Sequence, residues 1–175
     1  MYSATSRIRA IVALTVAVAT GEAACTTTPD PVEPQSTTTP PGMPVIRSCA
    51  ELVPPEVVTE FDDGYVAQEP FVATAGTHAA EIAELNGVVC AWNNESSGES
   101  IGVAVANPTS DELADREAAA GRSASAFAGY FAADDDSAQA QAFSGPYWIV
   151  VDFSFGADED DIAPFIDSVL ESLAS

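Results

Sequence analysis

The sequence predicts an α+β fold, in which an antiparallel sheet of about four strands carries packed helices and one disulfide. Two apolar runs on either side of a short polar turn have the alternation of a β-hairpin. A run rich in aromatic and β-branched residues, YWIVVDFSF at 147–155, predicts a strand. The last segment repeats apolar residues at helical spacing. Hairpins flanked by helices favour a sheet with helices on its surface.

The folded domain is predicted at 47–175 and opens with two short helices. Ser48 is a suitable N-cap for a helix over 49–52. Two prolines, Pro54 and Pro55, end this helix and open a second one that continues to Phe61.

The next segment holds one ambiguous stretch and one helix. Residues 65–75 fit no single pattern, and Pro70 restricts any strand there to the edge of a sheet. The run HAAEIAEL at 78–85 predicts a short helix that ends at Asn86 and Gly87.

The hairpin consists of strands at 88–93 and 100–106, joined by the turn NESSG. A helix follows and extends to Ala120, because Thr109 and Glu112 have the spacing of a capping box.

The remaining predicted strands lie at 129–131, 138–143 and 147–155. Acidic residues at 158–161 start the last helix, where they suit the helix dipole. Its apolar stripe consists of Ile162, Phe165, Ile166, Val169, Leu170 and Leu173.

Residues 1–24 have the order of a secretory signal peptide. Arg7 and Arg9 precede the apolar run AIVALTVAVA at 10–19, and Gly21 ends it. The run is about half of the ~20 residues that a membrane-spanning helix needs, so we expect cleavage. Ala23-Ala24-Cys25 resembles the end of a bacterial lipobox, which implies that Cys25 becomes the lipidated first residue. The lipobox usually has an aliphatic residue three positions before the cysteine, where this chain has Glu22, and cleavage after Ala23 by an ordinary signal peptidase is the alternative.

Cysteine parity supports lipidation of Cys25. Thiols outside the cytoplasm tend to pair, and a lipid on Cys25 leaves Cys49 and Cys90 as an even pair. Residues 25–46 then form a disordered tether, because 26–45 contain six Thr, six Pro and no aromatic residue. A plain spacer and an O-glycosylated stalk both fit this composition.

The segment from Ser48 to Val57 and the run GVVCAW at 87–92 resemble a group of actinobacterial cell-envelope lipoproteins with a domain of unknown function. The shared pattern is a lipobox, a Thr/Pro tether, Cys49-x-x-Leu52 before proline, and Cys90-x-Trp92 on a strand. The resemblance covers nearly the whole chain. It implies a disulfide-clipped envelope domain and assigns no catalytic residues.

The charge balance excludes several partners. The chain has 27 acidic residues against five basic ones, with a net charge of −22. Nucleic acid binding requires basic side chains that replace counterions, so no nucleic acid partner is expected. Attraction to anionic lipid head groups is disfavoured for the same reason.

No catalytic residue, metal site or cofactor is predicted. His78 is the single histidine, and the acidic runs at 134–136 and 158–161 lack the layout of a calcium loop. Trp92, Trp148 and Tyr147 are candidate ligand-binding residues on predicted strands. Strand alternation places Tyr147, Phe153 and Phe155 on one face and Trp148 on the other.

These observations together predict an exported envelope protein. We expect a monomer, lipid-anchored at the extracellular face of the cell membrane or otherwise secreted, with a non-enzymatic domain that binds a ligand or partner. Two alternatives remain: a carboxylate-dependent hydrolase with two acids in a cleft, and an accessory subunit that docks on a membrane protein through an exposed apolar patch.

Overall fold

The computed structural model describes residues 42–175, which contain five helices and six strands. In chain order these are α1 (Cys49–Leu52), α2 (Pro55–Phe61), β1 (Tyr65–Ala67), α3 (His78–Glu84), β2 (Val88–Asn94), β3 (Ser100–Ala106), α4 (Ser110–Ala119), β4 (Tyr130–Ala133), β5 (Ala138–Ser144), β6 (Tyr147–Phe153) and α5 (Glu159–Ala174). The α+β class with an antiparallel sheet is therefore confirmed.

The six strands form one sheet in the order β1-β2-β3-β6-β5-β4, and every neighbouring pair is antiparallel. The expected count of about four strands is too low. The strand without a sequence prediction is the edge strand β1, which has three residues and lies in the ambiguous stretch 65–75. Strands this short provide little alternation for sequence reasoning to detect.

One face of the sheet is covered by α1, α2 and α5, and the main core lies beneath them. Phe61 of α2 contacts Phe153 and Phe165, with ring centroids 5.4 Å and 5.7 Å apart. The stripe predicted for α5 is real, since Ile162, Phe165, Ile166 and Val169 are buried. Removing these side chains from water stabilises the fold, at about 25 cal/mol per Å² of apolar surface.

The opposite face is covered by α3 and by Leu113 of α4, over a smaller cluster that includes Ile82, Trp148 and Val150. The sheet therefore lies between two helical layers. The prediction for β6 is confirmed, because Phe153 and Phe155 pack in the main core and Trp148 packs on the other side.

Helix starts follow the predicted capping patterns. The Glu112 carboxylate accepts hydrogen bonds from Thr109 N–H and Thr109 Oγ1 at the start of α4. Asp158 caps α5 by accepting from Asp160 N–H and Asp161 N–H. These bonds satisfy backbone donors that have no partner within the helix.

The backbone geometry at the end of α3 explains why Asn86 and Gly87 follow this helix. Asn86 adopts a positive φ of 58°, which asparagine tolerates better than most residues. The Gly87 N–H then donates to the Ile82 carbonyl at 2.9 Å. A side chain at Gly87 would collide with the carbonyl oxygen of Val105 on β3. Glycine is therefore needed for the close approach of α3 to the sheet.

Two features bear on the N-terminal boundary of the domain. Cys49 of α1 and Cys90 of β2 form a disulfide, with their Cα atoms 5.6 Å apart. Met43 N–H donates to the Asn107 carbonyl at 2.8 Å, and Val45 N–H donates to the Asn86 carbonyl at 3.4 Å. Among the described residues, Met43 and Val45 of the predicted tether therefore form backbone hydrogen bonds with the domain.

Candidate functional site

A cavity of about 620 Å³ opens on the sheet face that carries α3. Strands β2, β3, β5 and β6 form its floor, and α3 and the segment 68–77 form its walls. Small-molecule sites in proteins have volumes of about 300–1,000 Å³. The cavity is therefore of a size that accommodates a small organic ligand.

The cavity is deep at its centre because the side chains of the sheet are small there. Ala91 of β2 and Gly102 and Ala104 of β3 point to this face. A Cβ added at Gly102 would meet the Asp152 carbonyl oxygen at 3.7 Å and Asp152 Cβ at 3.8 Å, which are ordinary contact distances. The backbone at Gly102 therefore leaves room for a side chain, and that room belongs to the cavity.

Asp152 is a carboxylate on this floor. Its strand position pairs with Gly102 on one side and with Gln139 on the other. Gln139 Nε2 donates to Asp152 Oδ1 at 2.6 Å. Burial raises the pKa of Asp152 above its usual value, against the opposing effects of the Gln139 hydrogen bond and the nearby His78.

A chain of hydrogen bonds leads along the sheet to Asp152. Trp148 Nε1 donates to Gln141 Oε1 at 3.0 Å, and Gln141 Nε2 donates to Gln139 Oε1 at 3.4 Å. An indole N–H can only donate, so it fixes the orientation of both amides. The Gln139 NH₂ group consequently faces Asp152, which accepts.

The α3 wall is attached to the sheet through Trp148. The Arg116 guanidinium carbon lies 4.0 Å from the centroid of the Trp148 ring system, and its Nη1 donates to Glu81 Oε2 at 2.6 Å. The His78 ring meets Trp148 edge-on, with centroids 5.3 Å apart. The hydrogen bond from Arg116 holds the pKa of Glu81 below its usual value.

His78 begins α3, as expected, and lies on the cavity wall. Its Nδ1 is 3.7 Å from Glu81 Oε2, which is too long for a hydrogen bond. Nδ1 is buried and has no hydrogen-bond partner in the described part of the chain. His78 is therefore a polar group of the wall that the protein leaves unsatisfied.

The outer side of the cavity has an apolar character. Phe71 lines it and is 38% exposed, and the adjacent Val72 is 84% exposed. Val66 on the edge strand β1 is also exposed and pairs with Asn93, another lining residue. A ligand that carries apolar surface would find additional contacts at this rim.

The three aromatic residues predicted to bind a ligand are not brought together. Trp92 is buried in the main core, and Tyr147 packs against that same core. Trp148 is fully buried on the opposite face. None of the three lines the cavity. Trp148 contributes indirectly, since it contacts both His78 and Arg116 and orients the glutamine chain.

The acidic runs serve local structure. Asp134 Oδ1 accepts from Asp136 N–H and Ser137 Oγ in a turn, and these bonds lower the pKa of Asp134. Asp158 caps α5. Within residues 42–175 no three His, Cys, Asp or Glu side chains are grouped so that they could hold a metal ion.

Sequence reasoning did not find Asp152, Gln139 or Gly102 as site residues. A weak signal existed for one of them, because Asp152 is the single charge within the apolar strand YWIVVDFSF. The pairing of Gly102 with Asp152 joins strands distant in sequence, which no local pattern reveals, whereas Gln139 and Asp152 pair within the hairpin of β5 and β6.

Comparisons of the chain with protein-family models, curated proteins and solved structures found no match. Among residues 42–175, no helix combines the length and apolar character needed to span a membrane. Residues 1–41, including the predicted signal peptide and Cys25, lie outside the described part of the chain.

Proposed function

We propose that this chain is an exported, lipid-anchored envelope protein whose domain binds a small ligand without transforming it. The cavity over β3, walled by α3 and the segment 68–77, is the observation that carries the proposal. It combines an apolar floor of small residues with a few polar groups, as ligand sites commonly do.

The polar groups on the cavity wall favour binding over catalysis. A mechanism with a serine, threonine or cysteine nucleophile requires the hydroxyl or thiol to lie within hydrogen-bond reach of a base. In the described residues His78 Nδ1 has no such partner. The Glu81 carboxylate is already bonded to Arg116, which lowers its capacity to act as a base.

Filling the cavity tests this proposal. Gly102→Val places a branched side chain on the floor, where ordinary contact distances accommodate its Cβ, and valine suits a strand. We expect any small molecule that binds wild type, found by NMR with a panel of neutral and charged fragments, to bind Gly102→Val at least about tenfold more weakly. A loss of one or two buried contacts accounts for such a factor.

Ala132→Val on the edge strand β4 is the matched control, because it adds the same side chain at an exposed strand position outside the cavity lining. Both variants are compared by thermal melting to confirm folding. Fragments that bind Gly102→Val as tightly as wild type, or a panel without any binder, would contradict the proposal.

A carboxylate-dependent hydrolase remains the second candidate. One observation favours it: Asp152 and Glu81 both line the cavity, and their pKa values are shifted in opposite directions. Such divergence is a property of acid–base pairs in glycosidases. Turnover of nitrophenyl glycosides by wild type, abolished in Asp152→Asn, would replace the binding proposal with this one. Docking on a membrane protein stays a further prediction.

A further inference from the structure

Within residues 42–175, no arginine pairs with the Asp152 carboxylate. The chain contains no lysine, and the arginines of the described residues are Arg47, Arg116 and Arg122. Arg116 pairs with Glu81, Arg122 pairs with Glu159, and Arg47 donates to the Ser172 carbonyl. A partly buried carboxylate without a counter-charge is unfavourable. A cationic ligand would therefore supply the counter-charge that Asp152 lacks.

The hydrogen-bond chain determines which part of Asp152 is free. Because the Trp148 indole fixes the direction of the Gln141 and Gln139 amides, Oδ1 of Asp152 accepts from Gln139. Within residues 42–175, no other hydrogen bond reaches this carboxylate. Oδ2 is therefore an acceptor without a protein donor, on a residue that lines the cavity.

The surroundings select for a cation with an apolar body. The net charge of −22 attracts cations and repels anions over the whole surface. Glu81 also lines the wall but is paired with Arg116, so Asp152 is the lining carboxylate without a counter-charge from an arginine; His78 is the other titratable lining residue. The small floor residues and Phe71 offer apolar contact beside Asp152.

We infer that the ligand of this cavity is an organic ammonium compound, whose N–H groups donate to Asp152 Oδ2 and whose apolar body covers Gly102 and Ala104. This inference rests on the proposed function and specifies its ligand class. A charge-assisted hydrogen bond of this kind should raise the affinity by a factor of about ten or more.

A matched set of indoles tests the ligand class with the full chain. Tryptamine, the neutral tryptophol and the anionic indole-3-propionate share the apolar ring and differ in the charge at the end of the side chain. By calorimetry at pH 7 we expect tryptamine to bind at least about tenfold more tightly than tryptophol, and indole-3-propionate to bind most weakly.

Two variants separate the head group from the cavity. Asp152→Asn preserves the shape and an acceptor for Gln139, and it should lower tryptamine affinity about tenfold while leaving tryptophol nearly unchanged. Gly102→Val keeps the carboxylate and should weaken both ligands equally. Melting curves establish that each variant is folded.

The outcomes distinguish this inference from the proposal beneath it. Equal affinity of tryptamine and tryptophol, with no effect of Asp152→Asn, would overturn the ammonium assignment and leave a cavity that binds neutral ligands. Preference for indole-3-propionate would also overturn it, since Asp152 would then act as a protonated donor. Absence of tryptamine binding overturns the inference, whereas the fragment panel decides on the cavity itself.

Discussion

Glu159 connects two segments that are distant in sequence. Its Oε2 accepts from Ser125 N–H and Ser125 Oγ, both at 2.6 Å, and from Ala126 N–H at 3.2 Å. Its Oε1 accepts from Arg122 Nη2 at 2.6 Å. This one carboxylate therefore holds the loop before β4 against the start of α5.

The same bonds make the connection sensitive to acid. The hydrogen bonds from Ser125, followed by the one from Arg122, lower the pKa of Glu159 from its ordinary value of 4.5 to about 2. A carboxyl group whose pKa is lower in the folded state than in the unfolded state stabilises the fold at pH values above its unfolded-state pKa. This contribution is lost as the pH falls from 4.5 through about 2.

Glu159→Gln should lower the melting temperature at pH 7, because a neutral amide cannot replace the carboxylate in all four bonds. The difference from wild type should shrink as the pH falls from about 5 to 2 in a melting series. Asp160→Asn removes the same charge from the same helical turn and serves as the control, since its exposed carboxylate forms no such bonds to the loop. A difference from wild type that stays constant with pH would contradict this account.

At the scale of elements, the disulfide joins α1 to the strand that supplies part of the cavity floor. Cys49 and Cys90 are separated by 41 residues. A cross-link that closes a loop of this length lowers the conformational entropy of the unfolded chain. In free energy this destabilises the unfolded state, and so stabilises the fold, by about 4 kcal/mol. The neighbours of Cys90 on β2, Val89 and Ala91, line the cavity.

Replacing Cys49 and Cys90 by alanine should lower the free energy of unfolding by about 2–4 kcal/mol, as measured by urea denaturation. Reduction of wild type should give a similar loss. Cys25→Ser is the control, because it removes a cysteine and leaves the pair intact. If the double alanine variant matched wild type, the disulfide would have no stabilising role.

Element prediction succeeded where a local pattern was long. The hairpin of β2 and β3 and the helix α5 were recognisable from alternation and from the apolar stripe. It failed at the edge strand β1, because this strand is defined by hydrogen bonds to β2 and not by its own residues. Such pairing depends on two segments, whereas a local sequence pattern describes only one segment.

At the scale of the whole molecule, the proposed position at the membrane depends on lipidation of Cys25. A lipid there would keep the domain at the membrane surface, and the acidic charge of the chain would keep it away from anionic head groups. The Thr/Pro composition of the connecting segment is typical of a spacer.

Labelling with a palmitate analogue in a bacterial host tests the anchor. Wild type should carry the label, and Cys25→Ser should carry none. Export of both is checked by cell fractionation, so that a loss of label reflects the missing thiol. Equal labelling of the two proteins, or no labelling of either, would remove the lipid from the proposal and leave a secreted domain.

The sequence by itself determined the α+β class, most element positions and the face to which each residue of β6 points. These depend on local periodicity, which the chain encodes within a few turns or strand residues. Only the tertiary structure decided the site. The sheet places Asp152 between Gly102 of β3 and Gln139 of β5. It also places Trp92 and Trp148 on opposite faces. Pairing between strands distant in sequence creates the cavity, because the register of β3 against β6 is fixed by packing of the whole sheet.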